Sequence, residues 1–287
     1  MPDFTPFFVS GLATAATYVL SAVGIVVLYR ASGVVNFSQG ALGALAAFVS
    51  WSIVENGGPA PLAWCAGILV STVLAFLYGR VLAPRLAFSD PVMRAVATLS
   101  VALILLGFMG YVWGELPRRL RLPTDTISFE LIGVRITATR AVAFALAVLA
   151  TVAVMVFLAR SRLGLQMRAL ANNRDLSALL GVRVLRADGY AWIISGSLAG
   201  VSGILLADLQ RLSGQTLTFA VIPAISAAVI GRFSSLPATV AGGVAIGVCE
   251  ALLTPVPVVG PFRTAVPFIF AVAALLWMQR RFTFVYR

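Results

Sequence analysis

The sequence predicts an all-α membrane protein, a polytopic bundle of about eight transmembrane helices plus one short or re-entrant helix. The 287-residue chain is 60% hydrophobic and only 11% charged, and its mean hydropathy is +1.00. Uncharged stretches such as 142–159 and 266–279 are long enough, or nearly so, to cross a hydrocarbon layer of ~30 Å. A soluble domain of this size could not bury that much apolar surface.

The apolar segments follow one another along the whole chain, each about 20 residues long. The stretch before Phe219, LQRLSGQTL, is polar and rich in turn formers, so we expect a loop there, followed by a short helix. Such a helix, flanked by loops at membrane depth, is acceptable only where protein or a water-filled cavity surrounds it. The predicted full spans are Ser10–Tyr29, Asn36–Val54, Leu62–Leu82, Arg94–Trp113, Arg140–Ala159, Ala187–Ala207, Pro237–Leu253 and Thr264–Gln279, and the short element is Phe219–Ile230.

The placement of arginine predicts the orientation. All 21 basic residues are arginine, and two thirds of them fall on one side when the segment 160–186 is placed in the cytoplasm. The N-terminus then lies outside and the C-terminus inside, provided that Phe219–Ile230 returns the chain across the membrane. The formal charge of +11 is therefore attributed to topology, and no nucleic-acid partner is expected.

A basic insert, RSRLGLQMRALANNRDLSALLGVRV, interrupts the apolar pattern with arginines that cannot span a membrane. Apolar residues still recur at i, i+3 and i+4, first at Met167 and Leu170 and then at Leu176 and Leu179. The NNRD stretch breaks this pattern, with Asp175 as the expected N-cap of the second helix and Gly181 as its C-terminal stop. We expect two short amphipathic helices on the cytoplasmic face; the alternative is a basic surface loop resting on anionic headgroups.

Three separated motifs carry a resemblance to a known family. RALANNRDLSALLGV resembles the cytoplasmic coupling loop of ABC importer permeases, which docks on the ATPase subunit. YRASGVVNFSQGALGALAAFV and GRFSSLPATVAGGVAIGVCEALL resemble segments of permeases for branched-chain amino acids, in particular the H-type subunit of the leucine/isoleucine/valine importer. The resemblance runs from about Gly11 to the C-terminus. The chain departs from the family at Arg232, where a second glycine is usual, and at Gln39, where histidine is common.

The resemblance implies a single transmembrane permease domain over residues 1–287, with the coupling insert at about 160–186, in the bacterial plasma (inner) membrane. It further implies a second, M-type-like permease subunit, two cytoplasmic ATPase subunits that use the ATP, and an extracytoplasmic solute-binding protein. The chain itself has no G-x-x-x-x-G-K-[ST] motif, so we expect no cofactor and no enzymatic activity of its own. The resemblance favours branched-chain amino acids as the transported solutes. The alternative function is a secondary transporter or passive channel for a small polar solute such as urea or an amide.

The candidate residues for coupling to the ATPase lie in the insert. Small alanines permit entry into a groove, leucines supply an apolar anchor, and Gly181 permits a left-handed turn. The set comprises Arg168, Ala169, Leu170, Ala171, Asn172, Ala178, Leu179, Leu180 and Gly181.

The candidate residues for the pathway or its gate are polar or small residues at the ends of apolar spans, namely Asn36, Ser38, Gln39, Gly40, Ser234, Ser235 and Glu250. Asn36 is equally interpreted as a plain N-cap. Glu250, an acid well inside a predicted span, either contacts a solute ammonium group or is a structural anchor bonded to a neighbouring span. The glycine-rich stretches GALGALAAF and GGVAIG favour close helix packing over direct lining of the pathway.

The remaining residues offer little chemistry. The chain has no histidine, and its two cysteines, Cys65 and Cys249, fall inside predicted spans, where we interpret them as small buried hydrophobic residues. No metal site is therefore expected, and an intramembrane enzyme is poorly supported. The longest outer loop contains TISFELIGVRI, whose partial alternation predicts a β-hairpin with Gly133 at the turn. That loop is either a landing surface for a binding protein or a structured connector.

Overall fold

The computed structural model describes residues 4–86, 89–120, 128–131 and 134–282, and it is a helical bundle, as the sequence predicts. The helices in these ranges are α1 (Thr5–Ser32), α2 (Gln39–Glu55), α3 (Ala60–Leu77), α4 (Pro91–Trp113), α5 (Ala138–Arg160), α6 (Arg162–Asn172), α7 (Arg174–Leu179), α8 (Val184–Leu209), α9 (Gly214–Phe219), α10 (Val221–Ile230), α11 (Leu236–Leu253) and α12 (Val266–Phe282). A π-helical turn, Tyr78–Leu82, extends α3, and a 3₁₀ segment, Gly260–Ala265, precedes α12.

The core lies around α1 and α8, which are buried along most of their length and pack against each other. The surrounding helices α3, α4, α5 and α12 expose large apolar side chains to the outside, among them Leu69, Ile104, Leu149 and Ile269, each more than 60% exposed. A surface so continuously apolar is expected to contact lipid or another subunit rather than water.

Seven helices in the described ranges are long and apolar enough to cross a membrane. The one predicted full span outside these seven, Asn36–Val54, corresponds to α2, which has 17 residues. It begins three residues later than predicted, because residues 33–38 are not helical and enter the bundle. Gln39 bonds to Ser195, which lies roughly 16 Å along α8 from the start of that helix. The second span therefore starts at depth, inside protein, where non-helical backbone is tolerated.

The region before Phe219 differs from the expectation of a loop, because Gly214–Phe219 forms α9 and the chain continues into α10 after a break at Ala220. Pro223 is the third residue of α10, within its first turn as expected. Leu212 pairs with Arg118 through two backbone hydrogen bonds of 2.9 Å, and the ring of Phe233 lies 4.6 Å from that of Tyr29 near the end of α1. These contacts are at opposite ends of the bundle, so α9 and α10 together carry the chain across it.

The predicted hairpin in the long loop is present. Strands β1 (Ser128–Leu131) and β2 (Val134–Thr137) pair antiparallel, with Leu131 opposite Val134. Gly133 itself lies outside the described residues. The interpretation of Cys65 as a buried residue is wrong, because its side chain is exposed on α3, while Cys249 is partly buried on α11; both are free thiols. In apolar spans the sequence does not distinguish a side chain that faces protein from one that faces lipid.

Candidate functional site

A cavity of about 760 Å³ opens at one end of the bundle, formed by the first half of α1, the end of α8, the α9–α10 break, the end of α11 and the start of α12. Its lining combines apolar and charged side chains: Phe7, Ser10, Thr14, Tyr18, Leu209, Gln210, Arg211, Thr216, Phe219, Ala220, Ile222, Pro223, Gly247, Glu250, Ala251, Thr254, Arg263, Thr264, Pro267 and Phe268. The volume lies within the range of small-molecule sites, about 300–1,000 Å³.

Glu250 lies in this cavity, near the end of α11. The hydroxyl of Tyr18, a residue only 4% exposed on α1, donates a hydrogen bond of 3.0 Å to its Oε2. Glu250 is therefore both bonded to a neighbouring span and accessible from a cavity, which unites the two interpretations of this acid that the sequence leaves open. Its function in transport stays a prediction.

A second, much smaller pocket of about 20 Å³ lies beyond Tyr18, which borders both spaces. It is formed by polar and small residues of α1, α2, α8 and α9, including Ser21, Gln39 and Gly43. Its volume is close to the room that one water molecule needs, about 10–15 Å³ by this kind of measure. Tyr18 and Ala220, which line both spaces, thus lie between the wide cavity and the tightly packed centre of the bundle.

The gate candidates at the start of α2 form a buried hydrogen-bonded network. Asn36 Oδ1 accepts from the backbone N–H of Ser38 (3.0 Å) and from its hydroxyl (2.6 Å). Gln39 Oε1 accepts from Asn36 Nδ2 and from Ser195 Oγ, and its Nε2 donates to the Ser195 carbonyl oxygen at 3.1 Å. Asn36 is not the N-cap itself, since α2 begins at Gln39. Instead the Asn36 side chain stabilises the turn through which the chain enters the bundle before α2.

Glycines at this position permit the close approach of three helices. A Cβ on Gly40 would overlap the carbonyl oxygen of Thr218, and one on Gly203 would overlap the backbone of Gly43. A Cβ on Gly24 would lie 2.6 Å from Gln39 Nε2, so glycine there leaves room for the Gln39 side chain. In α11, added methyl groups on Gly243 and Gly247 would clash with Val19 and Ala15 of α1. The prediction of close packing for both glycine-rich stretches is confirmed.

The two serine candidates lie in the turn between α10 and α11, away from the cavity. Ser235 is the N-cap of α11 and accepts from the N–H of Ala238 at 3.4 Å, while Ser234 donates weakly to the Gly231 carbonyl oxygen. Within this turn Arg232 and Phe233 adopt φ values of +53° and +52°, the left-handed region that favours glycine. The glycine that is usual in the family at position 232 suits this left-handed conformation. This chain adopts the same conformation although it has arginine there.

The coupling insert folds as two helices, α6 and α7, as predicted, and Gly181 follows α7 with φ +87°. Two residues of the insert differ from the prediction. The N-cap of α7 is Asn173, whose side chain accepts from the N–H of Leu176 at 3.0 Å, and Asp175 lies inside the helix. Leu170 is 4% exposed and packs inward with Met167, so it cannot anchor a partner.

The exposed apolar surface of the insert belongs to α7 and the turn after it. Leu176, Leu179 and Leu180 are 53%, 85% and 76% exposed, and we call these three residues the leucine patch. The neighbouring candidates Ala171, Asn172, Ala178 and Gly181 are also exposed, and Ala169 is partly buried. Arg168 is exposed and donates to the Ala159 carbonyl oxygen, which ties α6 to the end of α5. The patch therefore points away from the bundle and is accessible to a partner.

Arg174 ties α7 to two core helices. Its Nη1 donates to the Ala31 carbonyl oxygen near the end of α1 at 2.7 Å, and its Nη2 lies 2.5 Å from Asp188 Oδ2 in the first turns of α8. We call these contacts the Arg174 clamp. Ala31 lies about 20 Å along α1 from Tyr18, so the clamp and the cavity are at opposite ends of the bundle.

The sequence alone did not indicate Tyr18, Asp188, Ser195 or Arg263 as members of these sites. A usable signal exists for three of them, because Tyr18, Asp188 and Ser195 are polar side chains within helices that are otherwise apolar. Within the described ranges no three His, Cys, Asp or Glu side chains come together in a group that could hold a metal ion.

Comparison with known proteins gives a consistent picture. The family described as branched-chain amino acid transport system / permease component matches residues 7–276. The chain is 27% identical over 259 residues to the high-affinity branched-chain amino acid transport system permease protein LivH of Salmonella typhimurium, a match that covers 85% of this chain and 83% of that protein. It is also 27% identical over 247 residues to the probable branched-chain amino acid transport permease protein LivH of Methanocaldococcus jannaschii, covering 82% and 76% of the two chains.

Among solved structures, a chain of PsaBC from Streptococcus pneumoniae in complex with Fab superposes with a TM-score of 0.51. The match covers 92% of this chain and 89% of that one. The sequence identity is 12%, so this similarity concerns the fold alone.

Proposed function

This chain belongs to the family of permease components of branched-chain amino acid transport systems, and from that premise we propose how it works as a permease subunit of an ABC importer. It is a multi-pass membrane protein that moves a small solute, and its cargo is a branched-chain amino acid, as the names of its relatives suggest. It pairs with a second permease subunit of M type, receives solute from an extracytoplasmic binding protein, and docks on two ATPase subunits that use ATP.

The observation that carries this proposal is the separation of the leucine patch from the cavity. An apolar patch on a rigid helix outside the bundle fits an interface whose energy is concentrated in a few buried anchors. The Arg174 clamp attaches that helix to α1 and α8, and α1 carries Tyr18 at the cavity. A displacement of α7 by the ATPase therefore acts directly on the helices that enclose the cavity.

The proposed orientation rests on the placement of arginine along the sequence. We place the leucine patch in the cytoplasm of a bacterial cell and the cavity on the outer side of the plasma membrane. The N-terminus is then outside and the C-terminus inside, because α1 begins and α12 begins at the cavity. Single cysteines at Arg174 and Thr126, in a background without Cys65 and Cys249, should label from opposite sides with an impermeant thiol reagent. Thr126 lies outside the described residues, and labelling of both from one side contradicts the orientation.

The function is tested by reconstituting the full complex in proteoliposomes and measuring the uptake of labelled leucine. We expect uptake that requires both ATP and the binding protein. Leu179→Asp in the leucine patch should release the ATPase and abolish uptake, whereas Leu69→Asn on the bundle surface should leave the ATPase bound. Leucine flux without ATP, at an unchanged rate with Leu179→Asp, points to a passive channel and contradicts the proposal.

A further inference from the structure

We propose that the cavity holds a binding site for a zwitterionic α-amino acid with an apolar side chain, in which Glu250 binds the ammonium group and Arg263 binds the carboxylate. The inference rests on the proposed function and goes further, because it places recognition of the solute in the permease itself. A permease that only passed on the solute chosen by its binding protein would need no opposite charges in its outer cavity.

The ammonium position is defined by Glu250. Tyr18 engages Oε2, while Oε1 has no hydrogen-bond partner among the described residues. A carboxylate accepts several hydrogen bonds, so one oxygen remains able to accept from a solute. The Tyr18 hydroxyl also fixes the rotamer of the acid, which lowers the entropy lost on binding.

The carboxylate position is defined by Arg263, from the 3₁₀ segment before α12. Its Nη1 donates to Thr254 Oγ1 at 3.2 Å, and the same hydroxyl donates to the backbone carbonyl oxygen of Glu250, one helical turn earlier. Thr254 lies four residues, about 6 Å, along α11 from Glu250, so this hydrogen bond places the guanidinium about one helical turn beyond the backbone of the acid. An α-amino acid carries both of its charged groups on one carbon, so a carboxyl and a guanidinium held on adjacent turns at the end of α11, in one cavity, can engage both at once. Arginine binds carboxylates in a fork geometry that also imposes direction.

The apolar side chain of the solute contacts an apolar wall of the cavity. Phe7 of α1, Phe219 and Ile222 at the α9–α10 break, and Phe268 of α12 line the same cavity. Apolar and aromatic lining with a few placed polar groups is typical of small-molecule sites. A carboxylate, a guanidinium and an apolar wall complement an ammonium, a carboxylate and a branched aliphatic side chain. Urea or a simple amide would leave both charges unpaired.

The test measures binding in the permease without the binding protein, so that the two selections are separated. Thr216→Cys, at an exposed cavity residue, is introduced into the complex of permease and ATPase subunits, prepared without the binding protein and with Cys65 and Cys249 of this chain replaced, and its rate of alkylation reports occupancy. Leucine should protect this cysteine at concentrations at least 10-fold below those of leucinamide, which lacks the carboxylate, and of 4-methylpentanoate, which lacks the ammonium.

Two variants give a crossed pattern that a merely structural role would not produce. Glu250→Gln should weaken protection by leucine at least 10-fold and leave protection by 4-methylpentanoate unchanged. Arg263→Gln should weaken protection by leucine and leave leucinamide unchanged. Arg119→Gln, an exposed arginine outside the cavity lining, is the matched control and should change neither.

Tyr18→Phe keeps the inference testable if Glu250→Gln fails to fold. It removes the hydrogen bond but retains the carboxylate, so leucine should still protect better than 4-methylpentanoate. Equal protection by leucine and both analogues, or unaltered leucine protection in both charge variants, overturns the proposed site. If uptake still requires ATP and the binding protein in that case, the proposed function stands and only this inference fails.

Discussion

Replacing Arg174 by glutamine should detach α7 from the bundle without unfolding the bundle. The side chain makes two contacts that hold the helix, one to the Ala31 carbonyl oxygen and one to the Asp188 carboxylate. Glutamine is shorter and neutral, so it replaces neither. The remaining attachments of α7 are its short connections to α6 and α8, its packing on α6 and the buried side chain of Ser177, because the leucine patch faces outward.

The expected loss is about 2 kcal/mol. A hydrogen bond to a charged group contributes about 1.5–3 kcal/mol, and breaking a fully buried ion pair costs about 3–5 kcal/mol. The lower figure applies because the Arg174 side chain is 38% exposed and water can replace part of what is lost. Asp188, 14% exposed and with Oδ1 already lacking a partner among the described residues, bears most of the cost. A change of about 2 kcal/mol shifts the equilibrium between docked and detached α7 by roughly 30-fold.

Hydrogen exchange measures this shift directly. The amides of Ser177 and Val182 bond within the α7 turn, at 3.1 Å and 3.0 Å, and should exchange roughly 30-fold faster in the variant. Solute-stimulated ATP hydrolysis should fall in parallel while basal hydrolysis persists. Arg183→Gln, an exposed arginine of the same insert, serves as the control and should alter neither. Exchange of α7 at the parent rate in Arg174→Gln would refute the reasoning, because the clamp would then contribute no stability.

Three further predictions follow from the packing and the turns. Gly203→Ala should lower the melting temperature of the complex, since its methyl group meets the backbone of Gly43 and overpacking costs about 1–3 kcal/mol, whereas Gly107→Ala, with nothing within 4 Å, should not. Arg232→Gly should raise the stability by up to about 1 kcal/mol in thermal unfolding, because it relieves φ +53°, and Ser234→Gly should give no gain. Ala178→Arg and Gly181→Val should uncouple ATP hydrolysis from leucine uptake while the permease still inserts, and normal transport by both would contradict the coupling role.

Some of the site was visible in the sequence because it depends on local chemistry. The insert at 160–186 is identified by its arginines, its helical spacing and its stop at Gly181, all of which the structure keeps. The sequence only partly distinguishes the face of the insert that packs on the bundle from the face that is exposed. Leu170 and Leu179 satisfy the same periodicity, yet one is buried and the other is 85% exposed. The insert has one apolar face buried against the bundle and another that is exposed, and the pattern does not distinguish the two.

The membrane class, the order of the spans, the basic insert and the family are all predictable from the amino-acid sequence. These features follow from composition and from spacings of a few residues, which do not depend on how distant parts of the chain pack. Three features become apparent only in the folded bundle: Glu250 bonds to Tyr18 across 232 positions, Gln39 bonds to Ser195 across 156, and α2 starts at depth. Such contacts depend on how helices pack, and in a membrane lipid and protein are equally apolar, so hydrophobicity cannot reveal which side of a helix faces its neighbours.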